Sequence, residues 1–403
     1  MKKVGWRPKF NPSVILKKID ATRTVNPAGD VSFTGFDFKQ NVPALHSMLE
    51  FPEEAKDLDR PNLIWRSLAA VRGPLTPTSF LAELNQRLDQ KLATKQEIFH
   101  VLTGISLKHN VGRSSHKIGD VRMRLLAGNY PSRYRLARTA VITQQRLPVD
   151  ESGHGFRRVI VSVRASDTRE AVEKALRALD LLRACWCFLT NFEMEFVGAL
   201  WRPINRVRLG AVHTCHLPNG KTASGTVWFE PHHDGEPRTE VDSKASKSAE
   251  QILVYLRSSP LRAELEEAML GYVRALDNSD QNAAFLSLWT VIERLVSPGQ
   301  GDFSPFVRRC AFVFEDGEFH TEVLKHLKQY RNEFVHAGRS TSQVKAHCYE
   351  LQVYFRALVR FYLGQRKFFT SLEDANAMLD LPRDRAKLLR RQLVIAKALK
   401  FLA

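Results

Sequence analysis

Apolar residues change their period along this chain. From Ala249 onward Leu, Val, Phe and Tyr recur three and four positions apart and strand-like alternation stops, which predicts helices at about 249–275, 279–297, 304–315, 319–337, 342–364 and 383–401. Gly338 follows the fourth of these, where a helix stop is expected. Before residue 249 the texture is mixed. VSFTGFDF (31–38) alternates like a strand, NLIWRSLAAVR (62–72) reads as a helix, and PTSFLAELNQRLDQKL (77–92) reads as another, opened by Pro77 and Thr78. After the glycine-rich ESGHGF (151–156), RRVIVSVRA (157–165) alternates as a strand and SDTREAVEKALRALDLLRACWCFLTN (166–191) has a long helical period, with Ser166 or Asp167 as N-cap. Residues 207–231 read as β structure turning at Pro218-Asn219-Gly220, and the polar stretch 234–248 reads as a linker. The expected class is α+β: a mixed α/β N-terminal region, 1–248, with a sub-boundary near 153, followed by an all-α region, 249–403.

Composition narrows the setting. Hydrophobic residues make up 44% of the 403 positions, enough for a sizeable core and against disorder of the whole chain. The net charge of +17 favours polyanionic partners, among which RNA, DNA and anionic membrane are not distinguished by charge alone. Five cysteines without a paired framework fit a reducing cytoplasm better than a disulfide scaffold. No apolar run reaches the ~20 residues of a membrane-spanning helix, so a cytoplasmic protein without membrane attachment is expected.

The chemistry concentrates in HLKQYRNEFVHAGR (326–339). On a helix Asn332 and His336, four apart, share a face, and the long Arg331 side chain swings toward it. Metal-independent RNA cleavage uses the ribose 2′-hydroxyl as nucleophile. It needs a group that moves protons near neutral pH, as histidine does, and a fixed cation for the phosphate, as arginine supplies. Asn332 is placed to orient the histidine or the phosphate. Arginine and histidine at this spacing are by themselves a weak signal: Arg208 and His213 repeat it in a region that reads as β.

QYRNEFVHAG (329–338) strongly resembles the signature of the HEPN superfamily, an arginine, a polar residue and then a histidine four to six positions on, and its trailing Ala-Gly resembles the Apea-like branch. AAFLSLWTVIERLVS (283–297) is similar to that family's first core helix, with Glu293 where an acidic residue is common. A looser likeness links 159–183 to the leading region of bacterial HEPN proteins of phage defence. The resemblance implies an all-α HEPN helical bundle over roughly 250–365 that forms a homodimer with the two motifs facing one another. It implies an endoribonuclease of single-stranded RNA or tRNA needing no cofactor and no metal, acting as a toxin or abortive-infection effector under a trigger or inhibitor of phage origin. Arg331 would bind phosphate, His336 act as acid or base, Asn332 assist, and Glu293 hold Arg331 by an ion pair. The alternative is a catalytically silent HEPN module for dimerisation and nucleic-acid binding.

Other segments carry weaker signals. VRMRLLAGNYPSRYRLARTAVITQQR (121–146) interleaves arginine and tyrosine. Arg133, Arg135, Arg138 and Tyr134 there are candidates for gripping single-stranded RNA, against a reading as a solvated basic face. His213, Cys215, His216, His232 and His233 are ligand-type residues, but their spacing matches no zinc pattern, and scattered histidines are the favoured reading. Cys185 and Cys187 read as core cysteines. The basic amphipathic tail 381–401 is expected to lay its Leu/Ile/Val stripe on the helical bundle.

Overall fold

The computed structural model describes residues 3–26, 31–34, 36–55, 58–107, 114–147, 156–191, 204–230, 241, 243–298, 304–338 and 341–402. The first module holds short strands β1 (Gly5–Trp6), β2 (Arg23–Val25), β3 (Val31–Phe33) and β4 (Leu49–Glu50), and helices α1 (Pro12–Asp20), α2 (Phe36–Ser47), α3 (Arg60–Ala70) and α4 (Pro77–Ala93). The alternation of 31–38 therefore yields a three-residue strand, with a helix beginning at Phe36. Helix α4 starts where Pro77 predicts, with Thr76 and Ser79 completing a capping box. These elements close a core of their own around Leu16, Ile64, Phe80 and Leu84.

A six-stranded sheet follows, built from β5 (Glu97–Ile105), β6 (Ser115–Ile118), β7 (Val121–Leu125), β8 (Arg157–Ala165), β9 (Val212–His216) and β10 (Thr222–Phe229) in the order β10-β9-β5-β8-β7-β6. Strand β5 pairs antiparallel with β8 over nine residues, from Glu97 opposite Ala165 to Ile105 opposite Arg157. Residue 153 lies outside the described residues, but the strands either side of it belong to one sheet. The break between separately cored units falls instead after α4.

One face of the sheet carries Val101, Ile105, Met123, Val159 and Val161 onto α6 (Thr168–Thr190), which Asp167 caps through the Glu170 amide. The other face receives α5 (Ser132–Gln144), docked over β9 and β10. Gly220, in the β9–β10 turn at φ +96°, approaches α5 so closely that an added Cβ would lie 2.4 Å from the Arg133 carbonyl oxygen.

The remaining helices are α7 (Ser243–Ser258), α8 (Arg262–Ala275), α9 (Gln281–Val296), α10 (Ser304–Phe312), α11 (Gly317–Ala337), α12 (Val344–Gly364), α13 (Leu372–Leu379) and α14 (Arg385–Leu402). Two helices stand where a single one at 249–275 was expected, separated around Pro260, and α7 begins at Ser243, inside the expected linker. The short α13 was not read from the sequence. The fold is thus α+β and mostly helical, but the two classes are not separate bodies: α6 packs on α7 and α8, and one apolar core runs from the sheet through α6 to α12.

Buried polar groups lock that junction. Arg183 on α6, 1% exposed, donates to Asp277 after α8 at 2.7 and 2.6 Å, to Asp180 at 2.8 Å and to the Val207 carbonyl. Asn205 adds a bond to Asp277 at 2.8 Å, and Asn191 reaches both Asn205 and Tyr272, whose hydroxyl donates to Gln352 on α12. The first module joins this body through Lys91 to Asp167 and Asp59 to Arg169, at the start of α6.

The C-terminal helix departs from expectation. No residue of α14 is buried, and Leu393, Leu399 and Phe401 are 72%, 62% and 81% exposed. Its apolar stripe does not lie on the helical body. Among the described residues no helix is long and apolar enough to cross a membrane.

Candidate active site

The Arg-Asn-x-x-x-His element occupies the last two turns of α11. Asp316 caps the start of that helix through the Phe319 amide. Gly338 ends it in the left-handed conformation at φ 63°, its amide donating to the Phe334 carbonyl. Buried Leu324, Leu327 and Tyr330 hold the helix down. The Tyr330 hydroxyl donates to Asn282 on α9 at 2.6 Å, and its ring meets Phe285 edge-on and His347 of α12. Burial pushes the Tyr330 phenol up from its ordinary value, so it is a neutral anchor.

That anchor fixes what the next residues present. Arg331 and Asn332 are half-buried, and the Arg331 Nη1 donates to the Asn332 Oδ1 at 3.2 Å. Asn332 therefore steadies the arginine and not the histidine. Glu293 on α9 is also half-buried. Desolvation pushes its carboxyl up from the ordinary carboxylate value, and the Arg331 charge pulls it partway back. One turn beyond Asn332, His336 is exposed, next to Val335, which is 46% exposed. Among the described residues, no side-chain hydrogen bond or ion pair ends at His336. Three of the four residues singled out from the sequence, Arg331, Asn332 and Glu293, thus form one electrostatic group, and the fourth projects from the same helix end. The arrangement can hold a phosphate on a fixed guanidinium and offer an exposed imidazole at the same helix end.

The same Arg/His spacing at Arg208 and His213 meets opposite surroundings. Arg208 is 4% exposed and His213 fully buried. The Arg208 amide donates to Ser106 Oγ, and the His213 Nδ1 lies 2.7 Å from Thr103 Oγ1. No access to solvent or substrate remains.

Two of the four RNA-binding candidates need correction. Tyr134 is 1% exposed, its ring against His216 and His100, and it cannot stack on a base. Arg138 is 2% exposed, with its guanidinium donating to the Leu102 and Val212 carbonyls at 3.0 Å and to Thr214 Oγ1 at 2.6 Å. It cross-links α5 to β5 and β9. Arg133 and Arg135 are exposed, the former stacked on Tyr134.

The central histidines do not converge either. His213 and His216 lie three apart on β9 and face opposite sides of the sheet. The His216 ring bonds the Gly220 carbonyl at 3.1 Å and Thr214 at 2.9 Å. Burial lowers its pKa to about 4, and burial pushes the Cys215 thiol up to about 12. No group of three or more His, Cys, Asp or Glu among the described residues is arranged to hold a metal ion. His232 and His233 lie outside the described residues. Cys185 and Cys187 are buried in the core, as expected.

No family model, no curated protein and no solved structure matches this chain.

Proposed function

We propose that this chain is a HEPN-type endoribonuclease that cleaves single-stranded RNA or tRNA by 2′-hydroxyl attack without a metal. The observation that carries the reading is the end of α11: a guanidinium held by Asn332 and coupled to Glu293, with a solvent-facing imidazole one turn away. In the proposed reaction Arg331 binds the scissile phosphate and stabilises its developing charge. His336 takes the 2′-hydroxyl proton or supplies one to the leaving 5′-oxygen.

Each chain brings one such histidine, and the reaction needs both an acid and a base. The proposed working unit is therefore a homodimer with the two helix ends facing one another, the exposed Val335 covered at their contact. A toxin or abortive-infection role against phage, restrained or triggered through the N-terminal module and sheet, belongs to the same proposal.

The test is cleavage of total RNA and tRNA in excess EDTA by wild type, Arg331→Ala and His336→Ala. Cleavage by the wild type is expected, with each variant lowered by ~10²–10⁴-fold at unchanged melting temperature. Equal activity in all three would overturn the assignment. A second reading, a silent dimerisation and nucleic-acid-binding module, draws on the absence of any orienting partner for His336 among the described residues. It predicts RNA binding without cleavage, and no toxicity on expression.

A further inference from the structure

The sheet is covered unevenly. On its α6 side all six strands meet apolar side chains. On the opposite side α5 closes over β9, β10 and the adjoining part of β5, and Tyr130, just ahead of α5, covers Ile160 of β8; around that cluster Arg164 of β8, Arg122 and Arg124 of β7 and Lys117 of β6 are exposed. The alternation of β7, VRMRL, places Val121, Met123 and Leu125 in the core and Arg122 and Arg124 on this open face. The register carries the pattern across. Arg122 stands opposite Ser162 of β8, which stands opposite His100 of β5, while Lys117 of β6 stands opposite Arg122 and Arg164 of β8 opposite Ile98.

The result is a cleft of about 510 Å³ lined by His100, Ser162, Lys117, Arg122 and Arg164, bounded by Ile98 and Pro218. Asp120, in the β6–β7 turn, is the one carboxylate on its lining among the described residues. At the floor the Ser162 Oγ and the His100 Nδ1 are 2.8 Å apart. The charges of Arg133 and Arg124 also reach His100.

Two features of this face ask for an anion. Lys117 and Arg122 are directly opposed like charges, a pairing that destabilises a sheet unless a counter-charge is present. Among the described residues, no ion pair or hydrogen bond ends at the side chains of Lys117, Arg122, Arg124 or Arg164, although carboxylates pair with basic groups elsewhere in the chain. The cations also spread too widely for one phosphate group. From β6 to β8 is about 10 Å, and successive same-face residues on a strand are about 7 Å apart. With Ile98 of β5 the one large apolar residue exposed on the sheet strands among the described residues, the face is unsuited to a lipid surface.

We propose that the open half of the sheet is a docking surface for the backbone of single-stranded RNA, gripped by Lys117, Arg122, Arg124 and Arg164 with the His100–Ser162 pair at the floor of the cleft. The inference stands apart from the cleavage reaction, since it concerns the sheet and not α11.

The experiment is fluorescence anisotropy of a 5′-labelled 12-nucleotide oligouridylate. It is run in the full-length His336→Ala chain, so that the probe stays whole whether or not the wild type cleaves. Arg122→Gln/Arg164→Gln is compared with Lys17→Gln/Lys18→Gln, which removes equal charge from exposed positions on α1. The sheet variant is expected to bind ~10-fold or more weakly and to reduce the salt slope by about 1.4, the value for two lost single-strand phosphate contacts. The α1 variant is expected to change affinity less than ~2-fold. Because Arg122 and Arg164 are exposed, unchanged circular dichroism and melting should accompany the loss. Equal losses in the two variants, absence of oligouridylate binding by the parent chain, or polyglutamate of matched charge binding as tightly as the RNA would each overturn the proposal.

Discussion

Arginine and histidine five positions apart occur at Arg208/His213 and again at Arg331/His336, and the fold treats them in opposite ways. The first pair lies in and before β9, where neighbouring strands and α6 remove both side chains from water and Thr103 takes the imidazole. The second lies on the last turns of a helix that Tyr330 pins and Gly338 stops, leaving Arg331 half-buried and His336 in solvent. Spacing sets which residues lie near one another; the element and its layer set whether they hold the fold together or face solvent. The contrast extends through the chain: Arg183 and Arg138 are structural rivets, and Arg122, Arg124 and Arg164 are surface charges.

The sharpest test of the buried class is Arg183→Ala. It removes the cation shared by Asp180 and Asp277 at the junction of sheet and helices, leaving two desolvated carboxylates. A loss of about 3–5 kcal/mol is expected, read as a fall in melting temperature of roughly 5 °C. A change no larger than that of an exposed arginine such as Arg135→Ala would break the comparison at its strongest point.

A pH effect comes next. His216 has a pKa of about 4 in the fold, against an ordinary value of 6.5. Above pH 6.5 neither folded nor unfolded chain carries that proton, so no penalty exists. As pH falls toward 4 the unfolded chain takes it up and the folded chain does not, and stability is lost. By pH 5 this histidine alone accounts for about 2 kcal/mol, at roughly 1.4 kcal/mol per unit. Burial also lowers the pKa values of His100 and His46, so their contributions have the same sign. Urea unfolding of wild type and His216→Gln at pH 7 and pH 5 isolates the term: the variant should show the shallower dependence, and parallel slopes would reject it.

The two Arg/His pairs can be set against each other directly. His213→Ala is expected to cost about 1–2 kcal/mol by removing the buried imidazole that bonds the Thr103 hydroxyl, with α11 untouched. His336→Ala, at an exposed helix end, is expected to stay within ~0.5 kcal/mol of wild type. Chemical denaturation of both checks the pair, and a His336 variant as destabilised as the His213 variant would erase the distinction.

The sequence made one side of this contrast visible. A helical period and a glycine stop within one segment are local features, so the span of α11 and the position of Arg331, Asn332 and His336 on its last turns were legible. The burial of Tyr134 and Arg138 was not. Helix α5 reads as polar because the side it turns inward carries an arginine whose planar fork satisfies the carbonyls of Leu102 and Val212, which lie 36 and 74 residues away. A charge pattern cannot reveal acceptors that only the fold brings near. The sharing of one core by sheet and helices was hidden for the same reason, since Arg183 meets Asp277 across 94 residues. Strands β6 and β7 are short, four and five residues, and the alternation of β7 was passed over in favour of its arginines.

The smallest expected effect concerns α14, which extends the comparison from side chains to an entire element. Both helices carry recurring Leu, Val and Phe, yet α12 buries Leu351, Phe355, Leu358 and Tyr362, whereas α14, whose apolar residues are less cleanly gathered on one side, buries nothing. The contacts of this segment with the body lie before the helix, where Arg383 donates to the Ala311 and Glu315 carbonyls. Removing residues 385–403 while keeping Arg383 and Asp384 should therefore leave stability within ~0.5 kcal/mol, as for surface changes that remove no buried area. A melt of the truncated chain decides it. A larger loss would mean that the exposed Leu393, Leu399 and Phe401 are covered in solution, and a concentration-dependent difference in melting between full and truncated chains would assign the cover to a second copy.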